Sequence, residues 1–320
     1  MNYKPIIIVA GEPNSIFSEI FFKSKFNKIK NPIILIASEK LFIKQMQKLN
    51  FNYKINLIDY KKNELTGLKN NKINLINVDF KFKKTFDKIS SKSRYYIENC
   101  FNLGLKILKT KDCLGLINGP ISKKKFLKKK HFGITEYLAD KTNSKNNVAM
   151  LIYNKQLSVS PITTHLPLKD VHKNISKTKI INQVKLIKSF YKKEFNKNPK
   201  IAITGLNPHC ESNYKTSEEE KIIKPALKYL KKRGFKVSGP FPADTIFLSK
   251  ISKKYDVIVG MYHDQVLSPL KTLFEFNAIN ITLGLPFIRI SPDHGPNSSM
   301  LGKNLSNPES LIKAIKFFDK

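Results

Sequence analysis

The sequence predicts an α/β protein organised on parallel strands. Short β-rich apolar runs recur along the chain, and between them lie helical stretches with one lysine-rich face. Polar residues crowd just after several of the runs, which is where open α/β sheets bind ligands, outside the carboxyl ends of their strands.

In chain order the runs are Ile6 to Ala10, Ile33 to Ala37, Ile73 to Val78, Cys113 to Ile117, Val148 to Tyr153, Ile201 to Thr204, Val257 to Met261 and Ile279 to Leu283. Each has the length of a buried strand and falls far short of a membrane span. Between two of them, Lys177 to Phe195 carries Ile180, Ile181, Val184, Ile187 and Phe190 at helical spacing with lysines opposite, an amphipathic crossover helix. The alternation implies right-handed crossovers, and no fixed period marks a solenoid. No Pro/Gly/Ser-rich linker marks a boundary, so two domains would have the chain pass between them more than once, near residues 130 and 270.

At 320 residues, 41% of them apolar, the chain can bury a sizeable core. Its N-terminus runs from Lys4 through one short apolar run into Gly11-Glu12-Pro13, unlike a signal peptide, so a cytoplasmic protein with no membrane association is expected. Cys100, Cys113 and Cys210 form no CxxC pair and read as reduced thiols. The net charge of +34 raises the reading of a nucleic-acid binder. Against it, only Arg94, Arg233 and Arg289 among the 58 basic residues are arginine, the side chain whose fork reads phosphates and bases. The lysines are spread over every segment and mixed with asparagine, as solvated faces are. Their field would still draw an anionic small molecule such as a phosphorylated substrate or a dinucleotide.

Three of six histidines, His165, His209 and His263, stand at or just after an expected strand end. Imidazoles suit zinc and similar divalent cations, and three protein ligands leave positions for substrate. On spacing alone this reading and that of three hydrogen-bonded loop histidines both stand. Nearby, Asp264 either orients an imidazole or caps a helix, and Asp244 or Lys271 could handle a substrate proton. GxGxxG, GxxxxGK[ST] and HExxH are all absent. A nicotinamide cofactor would therefore need another cradle, for which Ser291-Pro292-Asp293-His294-Gly295-Pro296-Asn297-Ser298 is the candidate loop, or else an ordinary turn.

These segments, in order and over nearly the whole chain, resemble the 4-hydroxythreonine-4-phosphate dehydrogenase family of vitamin B6 biosynthesis. The resemblance is carried by Asn118-Gly119-Pro120-Ile121-Ser122-Lys123, Thr135-Glu136-Tyr137-Leu138-Ala139, Thr163-Thr164-His165 and Gly205-Leu206-Asn207-Pro208-His209. It continues through Gly239-Pro240, Ala243-Asp244-Thr245, Met261-Tyr262-His263-Asp264-Gln265, Asn280 to Arg289 and Asp293-His294-Gly295. It implies the isocitrate and isopropylmalate dehydrogenase-like fold, two α/β domains around an active-site cleft. Residues 1–135 with 270–320 would form the cofactor side, and 136–269 the metal and dimer side. It further implies a homodimer with active sites shared between subunits and one divalent metal (Zn, Mg or Co) per subunit on His165, His209 and His263. The implied cofactor is NAD or NADP, its adenosine end at Asp293, His294 and Gly295. Thr135, Lys271, Asn280 and Arg289 match the substrate-binding positions, with Asp244, Asp264 and Lys271 the candidates for proton handling. The implied reaction oxidises 4-phosphooxy-L-threonine.

The chain departs from the family pattern in places. Gly133-Ile134-Thr135-Glu136 stands where Gly-His-Thr-Glu is usual, and the N-terminal segment Gly11 to Glu19 lacks two of the family's glycines. Cys210-Glu211-Ser212 replaces Ala-Gly-Glu, and Pro296-Asn297 replaces Thr-Ala. A dehydrogenase of a threonate or erythronate phosphate, a lysine-rich nucleic-acid-binding protein on the same fold and a catalytically silent homologue are the alternatives.

Overall fold

The computed structural model describes residues 3–60, 65–127, 131, 133–145, 147–210, 215–275, 277–292 and 295–319. In chain order the main elements begin with β1 (Ile6–Val9), α1 (Phe17–Lys23), β2 (Ile33–Ala37), α2 (Glu39–Lys48), β3 (Ile55–Leu57) and β4 (Ile73–Asn77). Next come α3 (Arg94–Leu108), β5 (Gly115–Asn118), α4 (Lys123–Phe126), α5 (Ile134–Lys141), β6 (Ala149–Tyr153) and β7 (Ser158–Thr163). They continue with α6 (Val171–Asn174), α7 (Lys177–Phe195), β8 (Ile201–Thr204), α8 (Lys224–Lys232), β9 (Val237–Phe241) and α9 (Ser249–Ser252). The last are β10 (Val257–Tyr262), α10 (His263–Phe274), β11 (Ile279–Leu283), β12 (Ile288–Ser291) and α11 (Glu309–Phe318). Two compact units result, Met1–Ile134 with Phe287–Lys320, and Thr135–Pro286. The sequence puts the return crossing near residue 270, but β11 pairs along its whole length with β6 and so stays with the second unit.

In the first unit the strands run in the order β3-β4-β2-β1-β5-β12, and every pair is parallel. The apolar runs become these strands because both faces are covered: Ile6, Ile7, Ile8, Ile34, Leu35 and Ile36 are all fully buried. Helix α3 packs on β1, β2 and β5, and α11 on β5 and β12. Successive strands are added on one side of β1 until β5 is placed on the other, which makes the β1/β5 boundary the topological switch point.

The second unit is ordered β11-β6-β7-β10-β8-β9. Here the all-parallel expectation is corrected. β6 pairs antiparallel with both β7 and β11, whereas β7, β10, β8 and β9 are parallel. The reason is local, since residues 154–157 join β6 directly to β7, a link too short for a parallel crossover. Asn154 Oδ1 accepts from the backbone N–H of Gln156 at 2.8 Å and closes that turn. Helix α7 spans the predicted residues. Ser176 caps its start by accepting from Lys179 N–H, Asn196 ends it in the left-handed region, and Ile180, Ile181, Val184 and Ile187 are buried.

No helix among the described residues is long and apolar enough to cross a membrane. None of the three cysteines forms a disulfide, and burial pushes the thiols of Cys100 and Cys113 up to about 12.

The first unit's core holds an aromatic cluster in which fully buried Phe21 stacks on Phe26 with ring centroids 4.9 Å apart and meets Phe42 edge-on at 5.7 Å. Truncating such a ring removes its transfer energy and leaves a cavity, so Phe21→Ala is expected to lower unfolding stability by about 3–5 kcal/mol. Urea titration followed by circular dichroism would measure it, and a loss below about 1 kcal/mol would contradict this packing.

Candidate active site

His165 lies two residues beyond β7, His263 opens α10 directly after β10, His209 stands in the loop after β8, and Asp244 in the turn after β9. Because those four strands are parallel neighbours, all four side chains leave the same edge of the sheet. The rings of His165 and His263 approach to 5.8 Å between centroids, at 36°. Among the described residues no group of three His, Cys, Asp or Glu side chains stands ready to hold an ion, so the chain joins His165 with His263 and does not add His209 to them. Asp244 is exposed in its turn.

Asp264 does not cap its helix. Tyr262 occupies the N-cap position of α10, and the Asp264 carboxylate lies 2.9 Å from Nδ1 of His263. Its side chain is 78% exposed, so the pair adds little stability. Its consequence is directional: an imidazole that donates its Nδ1–H to a carboxylate carries its free lone pair on Nε2.

A polar stitch ties the histidine-bearing strand ends together. Gln265, the third residue of α10 and 8% exposed, accepts at Oε1 from Met261 N–H (2.7 Å) and Thr204 Oγ1 (2.8 Å). Its Nε2 donates to the carbonyl of Gly205 at 2.8 Å. On the other side of β10, Thr163 Oγ1 donates to the Met261 carbonyl at 2.8 Å. The side chain reaches the strand because position 260 is glycine. A Cβ there would lie 2.4 Å from Val266 and 3.1 Å from Gln265 Oε1.

The loop bearing His209 is strained and anchored. His209 and Cys210 both have φ near +57°, a left-handed conformation that costs a non-glycine residue about 1–2 kcal/mol. Glu219, 1% exposed, holds the loop's entry by accepting at Oε1 from the N–H groups of Leu206 (2.8 Å) and Asn207 (2.9 Å) and at Oε2 from Asn207 Nδ2 (2.8 Å). Burial raises the Glu219 pKa. The hydrogen bonds from Asn207, Glu219 itself and Leu206 outweigh it and leave the carboxyl below its ordinary value.

Of the expected substrate residues, Thr135 and Asn280 lie in the second unit with Lys271. Thr135 Oγ1 is 3.4 Å from Oγ1 of Thr282, and Thr282 shares a face of β11 with Asn280 by strand alternation. Asn280 Oδ1 is buried without a hydrogen-bond partner. Lys271 lies about 12 Å along α10 from His263 by helix rise, half-buried, with its amine pKa lowered by desolvation. Ile134 opens α5 and is half-buried.

In the first unit Arg289 is 0% exposed, where a surface arginine would be solvated. Its Nε donates to Asn118 Oδ1 at 2.7 Å, next to the β1/β5 switch point, where Gly119 N–H bonds the Val9 carbonyl at 2.7 Å and Glu12 N–H the Pro120 carbonyl at 2.9 Å. The N-terminal loop that lacks the family's glycines is closed by its own side chains, Ser15 Oγ donating to the Glu12 carbonyl at 2.6 Å. Asp293 and His294 lie outside the described residues. Gly295 is exposed, and the next carbonyl, of Pro296, accepts from Ile16 N–H at 3.2 Å.

Sequence reasoning missed Gln265, Glu219, Thr282 and Asn118 as site residues. Gln265, Thr282 and Asn118 sit inside the motifs that carry the resemblance, but Glu219 is the middle of Glu218-Glu219-Glu220, which reads as a solvated charge run.

Parallel strands whose carboxyl ends gather imidazoles, carboxylates and a half-buried lysine define an α/β enzyme with its chemistry in the strand-end loops. A family model described as pyridoxal phosphate biosynthetic protein PdxA matches residues 28–318, and the chain belongs to that family. The 4-hydroxythreonine-4-phosphate dehydrogenase of Sulfurihydrogenibium sp. is 39% identical over 318 residues, 97% of this chain and 96% of that protein. The crystal structure of 4-hydroxythreonine-4-phosphate dehydrogenase from Klebsiella pneumoniae superposes with a TM-score of 0.84 at 27% identity, covering 98% of each chain. A terephthalate 1,2-cis-dihydrodiol dehydrogenase from Burkholderia xenovorans, at 18% identity and a TM-score of 0.67 over 99% of this chain and 98% of that one, shares the fold alone.

The lowered pKa of Lys271 has a sign that can be tested. The unfolded chain binds this proton more tightly than the folded one, so the group makes stability rise with pH between its depressed folded value and the ordinary lysine value. Competitive acetylation read by mass spectrometry should give Lys271 a titration midpoint below the ordinary lysine value. A midpoint at or above it would contradict the burial.

Proposed function

We propose that the chain catalyses the NAD- or NADP-dependent oxidation of the C3 hydroxyl of 4-phosphooxy-L-threonine. The product, 2-amino-3-oxo-4-phosphooxybutanoate, is a β-keto acid that loses carbon dioxide to leave 3-amino-2-oxopropyl phosphate, a step in pyridoxal 5'-phosphate biosynthesis. The observation that carries this reading is the placement of His165, His263 and His209 at the ends of three adjacent parallel strands in a chain of this family.

The donor chemistry fits one divalent ion per subunit, Zn, Mg or Co. Two imidazoles already face each other at 5.8 Å, and the Nδ1 of one is engaged by a carboxylate. His165, His209 and His263 would hold it, with histidines contributed from both subunits of a homodimer. The ion supplies Lewis acidity toward the substrate hydroxyl, and the nicotinamide supplies the hydride acceptor. Its adenosine end would rest on the first unit's loop at Asp293, His294 and Gly295.

The protein's own groups bind and orient. Arg289, buried and steered by Asn118, and Lys271 provide the positive charge that a phosphate and a carboxylate require. Thr135 and Thr282 offer paired hydroxyls, and Asn280 a buried amide oxygen, to the polar end of the substrate. Lys271, whose amine desolvation makes a weaker base than an ordinary lysine, is the candidate for exchanging the substrate proton, and Asp264 and Asp244 lie at the same sheet edge. The lysine-rich surface of a cytoplasmic enzyme would raise the encounter rate with a doubly anionic substrate.

Purified protein with 4-phosphooxy-L-threonine, NAD or NADP and added divalent metal is expected to reduce the nicotinamide, read at its absorbance band. Threonate and erythronate phosphates, assayed in parallel, test the related-dehydrogenase alternative, and turnover with either but not with the threonine ester would overturn the assignment. His209→Ala should abolish turnover with an unchanged circular dichroism spectrum. Arg289→Lys keeps the charge but loses the planar fork, and should raise KM by roughly tenfold or more. An unchanged KM would remove Arg289 from the binding site.

A further inference from the structure

We propose that Glu219 is a positioning residue for His209, the buried anchor that makes a strained loop present its imidazole at the strand edge. This rests on the reading of His209 as a cation ligand.

Four observations converge on it. First, Glu219 is 1% exposed although it lies in a run of three glutamates, and its neighbours Glu218 and Glu220 are half-buried and exposed. Second, both of its oxygens are spent on one short stretch, the N–H groups of Leu206 and Asn207 and the Asn207 amide, with Glu218 Oε2 taking a further bond from that amide at 3.0 Å. Third, the residue at the start of the loop must be glycine for the carboxylate to approach: a Cβ on Gly205 would stand 3.0 Å from Glu219 Oε1 and 2.7 Å from Cys210 Sγ. Fourth, the loop then turns through two successive left-handed residues, His209 and Cys210, a conformation that persists only where surrounding bonds over-determine it.

The hydrogen bonds of Glu219 go to Leu206 and Asn207, so it acts on His209 through the loop backbone. Its bonds fix residues 206 and 207, and the Gln265 bond to the Gly205 carbonyl fixes the residue before them. The path from the end of β8 to His209 is thereby held at three consecutive residues. Without the anchor the left-handed pair relaxes, and the imidazole is no longer presented in one orientation.

The test uses cobalt(II) as the probe on the full chain, with affinity measured by calorimetry and the ligand field by visible absorption. Glu219→Ala is expected to weaken cobalt binding by about 10–100-fold, the range for loss of an outer-shell partner, and to change the visible spectrum. Glu219→Gln keeps an acceptor for the two backbone N–H groups but sets donor against donor at Asn207. It should lie between the wild type and Glu219→Ala in both readouts.

Tyr191→Phe, which removes a buried hydroxyl bonded to Ser158 in the same unit, controls for general destabilisation and should leave both readouts unchanged. Wild-type affinity and spectrum in Glu219→Ala, alongside lost binding in His209→Ala, would overturn this proposal and leave the cation site standing. The same holds for an equal loss in Tyr191→Phe. If Glu219→Ala does not fold, an unchanged Glu219→Gln overturns it. If the wild type does not bind cobalt, or His209→Ala binds like the wild type, the cation-site reading falls and this inference with it.

Discussion

The hydrogen bonds of one side chain, Gln265, hold the ends of two parallel strands to the first turn of a helix, and the second unit's chemistry is arranged around them. Its amide oxygen accepts from the Met261 N–H and the Thr204 hydroxyl, and its amide nitrogen donates to the Gly205 carbonyl. Those groups belong to β10, β8 and the loop after β8, which lead to His263 and His209. An amide can do this because it carries donor and acceptor on one rigid plane, and burial makes each bond expensive to leave unmade. Gly260 is the counterpart requirement, since any side chain there would displace the helix from the strand.

The two units solve the same problem with different materials. In the second, imidazoles and a buried carboxylate anchor gather where β7, β10 and β8 end. In the first, a fully buried guanidinium is held by a neutral amide at the β1/β5 switch point. Burying a guanidinium incurs a large desolvation cost, which its hydrogen bond to Asn118 offsets in part.

Much of the frame was legible in the sequence. All eight apolar runs became strands and Lys177–Phe195 became α7, because a strand covered on both faces and a helix covered on one leave direct traces in residue pattern. β7 left no such trace: Ser158, Ser160 and Pro161 look unlike a core strand. It is buried nonetheless, because Tyr191 and Gln183 of α7 bond the Ser158 and Ser160 hydroxyls at 3.0 and 2.7 Å. β9 and β12 were illegible for a similar reason, being short and rich in Ser, Gly, Pro or Arg. Which residues belonged together was read from the family motifs more than from spacing, and the motifs gave no role to Glu219 or Thr282.

By itself the sequence determined the α/β class, the positions of most strands and the residue types available for catalysis, because burial on a periodic backbone is written locally. Only the tertiary structure decided that β10 lies between β7 and β8, so that His165 and His263 become neighbours although 98 positions apart. It also decided that Arg289 is buried, that β6 runs against its neighbours, and that the middle one of three glutamates turns inward. Strand order and inward placement depend on partners distant in the chain, and a residue's own neighbours in sequence do not record them.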